Sequence, residues 1–446
     1  MHVPAGASVP VNVEETLLTD KTKLGYMDKL RLFRRDAKLY IASVTASSFS
    51  NGMSSVIFNL YLLEAGYLED FIGYFLSISL FATAFVAFPA GMVTDRTSRK
   101  SIILISNIMS FIAVGLQYST LMPVGLVTSQ ILLGTSSAFA QVAIYPYVTD
   151  VSTEVERTHL FGFSSGMAQL AVLFGNLTGG ALPGLVLLLL GPGYLLLDAY
   201  KLTLWFSLIP LFTSTAFIVP MTHDRAPERK DHFGVGNVRH WHFIGKYTFC
   251  VGTVGLGAGM IVMFFSLYFK TEFGASAQLI GLIFALNTTV LASGNFLAAA
   301  MSDRIGKVRT VVLTEALSIP FLMSLSWAPD LNIAVLAYVS RNVLMNMAGP
   351  TSAVFIMESL TREERATAVG VVRTVDSLVR GIASNVTGVL LVTKQYRVPY
   401  LVVSILYVLS VIMFYVFFRH SEAQMRRLQE TELMHETKPE ESADVT

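Results

Sequence analysis

The chain has 446 residues, of which 53% are hydrophobic and only 14% charged, and its mean hydropathy is +0.57. Soluble domains carry about 25% charged residues, so a large soluble catalytic domain is excluded, and we expect a membrane protein that is not an enzyme. With 32 Lys and Arg against 31 Asp and Glu and a single cysteine, Cys250, the composition also excludes a nucleic-acid-binding protein, a disulfide framework and a cysteine metal site.

Twelve apolar runs, separated by charged or turn-rich breaks, predict twelve transmembrane helices, because about 20 apolar residues cross a bilayer. The expected spans are 39–65, 71–93, 101–118, 122–148, 163–190, 201–220, 242–269, 278–300, 309–327, 332–357, 366–392 and 399–418. Gly179, Gly180 and Pro183 make the fifth span the weakest candidate for one straight helix. Since the polar residues 1–38 lack the apolar core of a cleavable signal, we expect the first span to direct insertion.

The distribution of cations predicts how the chain crosses the membrane. Alternate connections, together with both tails, hold 24 of the 32 Lys and Arg, whereas the opposite connections hold four. By the positive-inside rule both termini face the cytoplasm, and we expect a multi-pass protein of the cell membrane. Trp205, Trp241 and Trp327 fall at span ends, where an aromatic belt places them.

The two halves of the chain repeat each other. A shift of 208 positions places Glu64 on Glu272, Gly73 on Gly281, Asp95 on Asp303, Arg96 on Arg304, Asp150 on Glu358, Glu156 on Glu364, Arg157 on Arg365 and Gly162 on Gly370. We therefore predict an all-α integral membrane fold of two duplicated six-helix bundles. Its parts are a cytoplasmic tail at 1–38, a bundle at 39–220, a cytoplasmic linker at 221–241, a bundle at 242–418 and a cytoplasmic tail at 419–446.

Two connections carry a motif that indicates a family. Residues 91–100, after the second span, read GMVTDRTSRK, and residues 299–307, after the eighth span, read AAMSDRIGK. Both resemble the GxxxDRxGRK signature of the major facilitator superfamily, although Ser98 replaces a glycine in the first copy and Ala299 replaces one in the second. The resemblance implies a secondary transporter that alternates access by rocking its halves about a central site.

The same resemblance implies a cytoplasmic gate at these connections. A small residue lets two helices approach, an aspartate pairs with arginine near a helix N-terminus, and the basic residues stay among the lipid headgroups. The predicted gate residues are Gly91, Asp95, Arg96, Arg99, Lys100, Asp150, Arg157, Asp303, Arg304, Gly306, Lys307, Glu358 and Arg365. The alternative is that each motif is only a tight basic turn that obeys the positive-inside rule.

Four cations fall inside the predicted spans, where charged residues are costly and usually functional. Lys246 can reach the membrane surface with its long side chain, whereas Arg341 and Arg380 lie near mid-depth on helices that we expect to be adjacent. Arg373, Asp376 and Arg380 share one helical face, since they are spaced by three and four residues. This charged face must point into the protein.

Two interpretations of these charges stay open. In the first, Asp376 forms a buried structural ion pair with Arg380 or Arg373. In the second, the arginines leave a net positive centre for an anionic substrate, because guanidinium groups bind carboxylate or phosphate bidentately. Asp376 then takes a proton when the substrate competes for Arg380 or Arg341, which makes it the candidate for proton coupling. Glu315, in the ninth span, is expected to pair toward the gate.

By resemblance to the family, the first, fourth, seventh and tenth spans line the central cavity. The expected substrate site combines Arg380 with polar residues of these spans, namely Asn51, Gln130, Gln141, Arg341 and Asn346. The seventh span also holds four glycines, Gly252, Gly255, Gly257 and Gly259, which permit either bending of the helix or tight packing against a neighbour.

The sequence thus predicts a monomeric secondary transporter of a small solute, with an anionic substrate and proton coupling as the leading hypothesis. A multidrug efflux antiporter is one alternative, although paired arginines do not suit a cavity for lipophilic drugs. A non-transporting membrane sensor or scaffold on the same fold is the other. The chain has no phosphate-binding loop, and we expect the substrate and the lipid bilayer as partners, with no cofactor, metal or nucleic acid.

Overall fold

The computed structural model describes residues 33–94, 97–191, 193–222, 239–393, 395 and 397–419. All regular structure in this part is helical, as the apolar runs predict, and fourteen α-helices are described. They are α1 (Arg35–Glu64), α2 (Glu69–Thr94), α3 (Arg99–Ser119), α4 (Pro123–Asp150), α5 (Glu154–Leu190), α6 (Leu196–Ile218), α7 (Trp241–Ile261), α8 (Phe265–Phe273), α9 (Ala277–Ile305), α10 (Lys307–Ser326), α11 (Leu331–Asn346), α12 (Gly349–Glu358), α13 (Arg362–Val392) and α14 (Arg397–Phe418). A 3₁₀ turn, Val262–Phe264, joins α7 to α8.

Ten helical segments of the described part are long and apolar enough to cross a membrane. Two other predicted spans are not among these ten. The first span, α1, is rich in serine and asparagine, and the tenth is divided into α11 and α12 at Met347 and Ala348. The all-helical membrane fold is therefore confirmed, whereas the count of twelve spans and the orientation of the termini stay predictions.

The polar residues of α1 find partners inside the first half of the molecule. The Ser50 hydroxyl donates to the backbone oxygen of Ser207 at 2.6 Å, and the Ser43 hydroxyl lies 2.9 Å from that of Ser214. Because α6 supplies both partners, this face of α1 packs against protein and not against lipid.

The fifth span is one continuous helix, α5, in spite of the glycines and the proline within it. A Cβ on Gly179 would lie 2.5 Å from the backbone oxygen of Met53 in α1, and one on Gly180 would lie 2.7 Å from that of Ala277 in α9. Only glycine permits such close approach of two backbones. These glycines therefore serve helix packing on both sides of α5.

The two halves pack in the same way. In the first half, α1 packs against α5 and α6, and α4 packs against α2 and α3. In the second half, α7 packs against α13 and α14, and α11 packs against α9 and α10. These helices are equivalent under the 208-residue shift, so the packing repeats as the sequence does.

The halves meet at one side of the molecule and diverge at the other. α2 packs against α13, and α5 packs against α9. Asn59, near the end of α1, donates to the backbone oxygen of Met263 at 2.8 Å. A Cβ on Gly381 of α13 would lie 2.8 Å from the ring of Phe81 in α2. Phe85 and Phe88 share this face of α2 but lie nearer the side where α1 begins and α14 ends, called the termini side below, and they are 72% and 65% exposed. The structure is therefore open on the termini side.

Candidate functional site

Two ion pairs on the termini side occupy equivalent places in the two halves. Arg99 at the start of α3 pairs with Asp150 at the end of α4. Lys307 at the start of α10 pairs with Glu358 at the end of α12. Both partners of the second pair follow those of the first by 208 residues. Each pair holds two helices of one half together.

Among the described residues, no ion pair of the other predicted gate residues bridges the halves. Asp95 and Arg96 lie outside the described residues, and Asp303 and Arg304 are exposed. A Cβ on Gly91 would meet no atom within 4 Å, so this glycine marks no close approach of helices here. Gly91, Asp303 and Arg304 lie toward the termini side, and the role of all these residues as a gate stays a prediction.

The turns of the two motif copies differ in conformation. Gly306, between α9 and α10, has a φ of +94°, which favours glycine. Ser98 has a φ of −55°, and its hydroxyl accepts a hydrogen bond from the N–H of Ser101 at 3.2 Å as the N-cap of α3. Serine therefore suits the first copy, where a helix cap replaces the positive φ. The remaining predicted gate residues also lie near helix ends on the termini side: Lys100, Arg157 and Arg365.

A carboxylate that the sequence analysis does not assign to a site joins α7 to α13. Glu364 accepts hydrogen bonds from the backbone N–H groups of Arg239 at 2.6 Å and His240 at 2.9 Å, and from the Thr361 hydroxyl at 2.9 Å. Its Oε2 also lies 2.8 Å from Nδ1 of His240. Burial raises the pKa of Glu364, but these hydrogen bonds outweigh burial and lower the pKa to about 2. The capping-box spacing from Thr361 to Glu364 is the sequence signal for this residue.

The charged face of α13 packs against α7. Arg380 donates through Nε to Oδ2 of Asp376 at 2.8 Å, as their spacing of four residues predicts. The other carboxylate oxygen, Oδ1, is buried beside Gly255 of α7 and has no hydrogen-bond partner in the described part. Arg373, on the same helix, is exposed. One carboxylate oxygen is thus unsatisfied, which is unusual for a buried polar atom.

The glycines of α7 provide close packing. Three of them face α13, where a Cβ on Gly259 would lie 2.6 Å from the backbone oxygen of Arg380. Gly257 faces α14, and a Cβ there would lie 2.6 Å from the ring of Tyr407. Of the two explanations that the sequence leaves open, these contacts favour packing. The span changes from α-helix to 3₁₀ turn only after the glycines, at Val262–Phe264.

Arg341 lies inside the second half and is 1% exposed. Its Nη2 donates to the Tyr407 hydroxyl in α14, and its Nη1 donates to Oδ1 of Asn342 at 3.0 Å. The guanidinium carbon lies 6.0 Å from the ring centre of Phe265 in α8. Nε is buried without a partner, and no ion pair of the described residues includes Arg341. Its surroundings are therefore aromatic and neutral.

Asparagines connect Arg341 to the exposed surface of α11. Asn342 donates to Oδ1 of Asn287 in α9 at 3.0 Å. Asn346 donates to the backbone and side-chain oxygens of Asn342 at 2.7 and 3.2 Å and is itself exposed. Asn342 and Asn287 are missing from the predicted site, although a polar amide within an apolar span is a signal that could have found them.

The structure does not bring Arg341 and Arg380 together. Arg341 contacts α8 and α14, whereas Arg380 packs against Gly259 of α7. The main neighbours of α13 are α2 and α7, and those of α11 are α9 and α10, so these helices are not the packed pair that the sequence analysis expects. Arg341 approaches the seventh span at Phe265, and Arg380 approaches it at Gly259.

The polar residues expected in the first half are placed unequally. Asn51 and Gln141 are exposed, whereas Gln130 is buried, because it lies closer to the side on which the halves meet. Glu315 makes no side-chain hydrogen bond or ion pair in the described part, and Arg309 is exposed. The expected pairing of Glu315 toward the gate is therefore not formed in this structure.

One family model matches most of the chain. The model described as Major Facilitator Superfamily matches residues 40–240 and again residues 247–442, which correspond to the two halves of the repeat. The chain belongs to the Major Facilitator Superfamily. The resemblance of the two motif copies is thus confirmed, and the protein is a multi-pass membrane transporter of this superfamily.

Solved structures share the fold of this Major Facilitator Superfamily chain. A bacterial homolog of the human lysosomal transporter Spinster, inward-facing and unoccupied, is 14% identical over 89% of this chain and 98% of its own, with a TM-score of 0.68. A mutant of the nucleoside transporter NupG is 14% identical over 86% and 100%, with a TM-score of 0.68. A D-xylose-proton symporter is 15% identical over 85% and 97%, with a TM-score of 0.68. Among curated proteins, no sequence matches this chain.

Proposed function

We propose that this protein carries a small anionic solute across the membrane by alternating access and couples its movement to protons. Membership of the superfamily supports transport, and the divergence of the halves on the termini side supports a state open to that side. One protein of the same fold is named a D-xylose-proton symporter, which supports proton coupling on this fold. The observation that carries the anionic substrate is Arg341, a buried cation with no ion pair among the described residues.

A buried guanidinium without a carboxylate is costly, and an anion that reaches it offsets the cost. Nη1 of Arg341 is held by the neutral amide of Asn342, while Tyr407 holds Nη2 and fixes the orientation of the group. An anion that enters from the termini side meets the exposed Asn346 first and then Asn342. It displaces the amide and forms a charge-assisted pair with Arg341.

Asp376 is the proposed proton site. Arg380 holds one oxygen of its carboxylate, and the other oxygen has no partner in the described part. When the substrate anion draws Arg380 away, Asp376 loses the charge that stabilises its ionised form and takes a proton. Because Arg341 and Arg380 lie on different helices, the proposed substrate bridges α11 and α13.

The proposed topology has twelve spans in bundles at 39–220 and 242–418 with both termini in the cytoplasm. The excess of cations in the alternate connections and tails supports this orientation and a location in the cell membrane. The two motif copies form the proposed cytoplasmic gate, and the pairs Arg99–Asp150 and Lys307–Glu358 support it by fixing helix ends within each half. The proposed transporter acts as a monomer without a cofactor.

Uptake into proteoliposomes tests the proposed substrate class. Purified protein is reconstituted, and uptake of labelled carboxylates, phosphate esters, sugars and lipophilic cations is compared. We expect saturable uptake of an anion that falls about tenfold or more in Arg341→Gln and in Arg380→Gln. Lys246→Gln is the matched control, because Lys246 lies over the ring of Phe417 at 5.4 Å, away from the proposed site.

The outcomes of this experiment separate the proposed function from its alternatives. Anion uptake that is unchanged in both arginine variants contradicts the proposed site. Saturable uptake of lipophilic cations alone supports the multidrug antiporter. Specific binding of one compound without uptake of any supports the sensor.

A further inference from the structure

A groove lies outside the central cavity, between α1, α5 and α6. Its volume is about 950 Å³, and its lining is almost entirely aromatic and aliphatic. α1 contributes Ile41 and Phe49, and α5 contributes Met167 and Phe174, while Lys38 is the one charged side chain in the lining. A volume of this order is at the upper end for sites that bind drug-sized molecules.

The groove faces away from the second half of the molecule. α5 contacts α9 through Asn176 and Gly180. Met167, Leu170 and Phe174 lie on roughly the opposite face of α5, because successive residues of a helix turn by about 100°. Leu170 and Phe174 are more than half exposed. In a membrane this face meets lipid, and it is separate from the site at Arg341.

The groove runs along one leaflet. Its lining runs from Phe33, just before α1, to Phe49 within α1, which is about 24 Å at the helical rise of about 1.5 Å per residue. Half of the hydrocarbon core measures about 15 Å, so this length takes in an acyl chain and the adjoining headgroup layer. The end at Phe33 lies on the termini side.

Three cations stand at the mouth of the groove on the termini side. Lys38 lines the mouth, and Arg34 and Arg35 precede it by about one helical turn, with all three exposed. Arg34 is the N-cap of the 30-residue helix α1 and makes no side-chain capping hydrogen bond, so the positive end of this helix adds to the charge. Asp36 is buried and accepts a hydrogen bond from the backbone N–H of Thr222 at 3.0 Å.

From the apolar groove and its basic mouth we propose a binding site for one anionic phospholipid of the termini-side leaflet. The acyl chains lie in the groove, and the phosphate contacts Lys38 with Arg34 and Arg35 beside it. A zwitterionic lipid fills the groove equally well but brings its own cation to the mouth. The three protein cations therefore select the anionic headgroup.

Native mass spectrometry of the full chain, released from nanodiscs of mixed phosphatidylglycerol and phosphatidylcholine, tests this site. We expect one phosphatidylglycerol per chain to be retained in preference to phosphatidylcholine. Lys38→Gln should lower this retention about fivefold, the effect of one lysine at a membrane surface. Ala46→Phe, which fills the groove from α1, should abolish it. Lys201→Gln removes an exposed cation at the other end of α6 and should change nothing.

Equal retention of the two lipids by the unaltered chain overturns the proposal, as does unchanged retention of phosphatidylglycerol in Lys38→Gln. A chain dimer that dissociates in Ala46→Phe shows that the groove holds a second copy of the chain, which also overturns it. Lys38→Arg keeps the charge and should retain phosphatidylglycerol, so loss of retention in this variant counts against a headgroup contact.

Discussion

Replacement of Gly281 by alanine should open the side of the molecule on which the halves meet. A Cβ at this position would lie 2.5 Å from the backbone oxygen of Asn176 and 2.9 Å from the Cα of Gly180, across the boundary between α9 and α5. Both neighbours are backbone atoms, so no change of rotamer relieves the overlap. Separation of α9 from α5 does relieve it.

The size of this effect follows from the cost of overpacking. A methyl group forced into a packed site costs about 1–3 kcal/mol. The state with this side closed bears the cost, and a state with the halves apart on this side does not. The equilibrium constant for opening should therefore rise about 5- to 150-fold.

A reporter cysteine, Ser266→Cys, measures the opening through its reaction with a membrane-impermeant maleimide. Ser266 is buried where α8 meets α1, so it reacts only when this side opens, and the native Cys250 is buried and gives little background. Gly184→Ala is the matched control, because a Cβ there meets no atom within 4 Å. A labelling rate in Gly281→Ala equal to that in the control would refute the reasoning that this contact holds the halves closed.

The hydrogen bonds to Glu364 should make the joint between α7 and α13 sensitive to acid. The pKa of Glu364 is about 2 instead of the usual 4.5, so its ionised form stabilises the folded protein fully above about pH 4.5, and this stabilisation is lost as the pH falls toward 2. Glu364→Gln should therefore lower the Tm in detergent at pH 7 and have a smaller effect at pH 3. Loss of either partner of the Arg99–Asp150 pair should cost about 1 kcal/mol or less, because both side chains are 24% exposed, and a double-mutant cycle on thermal unfolding should show that the two losses do not add. Asp95→Asn combined with Asp303→Asn should raise maleimide labelling of a cysteine on the termini-side part of α2, because the substitutions destabilise only the state in which the gate residues are paired and this side is closed. Unchanged labelling together with unchanged transport would contradict the proposed gate.

The helical fold could be predicted because apolar runs are properties of single segments. The apolar pattern misses the first nine residues of α5, because a polar helical turn at the membrane surface carries no hydropathy signal. The division of the tenth span after Asn346 also escapes hydropathy, although Pro350 at the start of α12 is a local signal for it. The 3₁₀ turn at Val262–Phe264 has no such signal in an entirely apolar stretch.

The sequence predicts which residue types form the candidate site better than it predicts how these residues are arranged. The Asp376–Arg380 pair follows from a spacing of four residues, which is a local property of a helix. The contact of Arg341 with Tyr407 joins helices 66 residues apart in the chain and depends on how the second half packs. Gln130 and Gln141 lie on nearly the same face of α4, yet only Gln141 is exposed, because exposure depends on which side of the molecule is open.

Accumulation of an anion driven by a pH gradient tests coupled transport most directly. Proteoliposomes with an alkaline interior should concentrate the labelled anion when they hold the unaltered protein, whereas Asp376→Asn should still exchange internal for external anion without concentrating it. Glu315→Gln is the matched control, because Glu315 is also a carboxylate of a predicted span but has no ion pair in the described part. Concentration of the anion by Asp376→Asn to the level of this control would contradict coupling at Asp376 and leave the residue as a structural partner of Arg380.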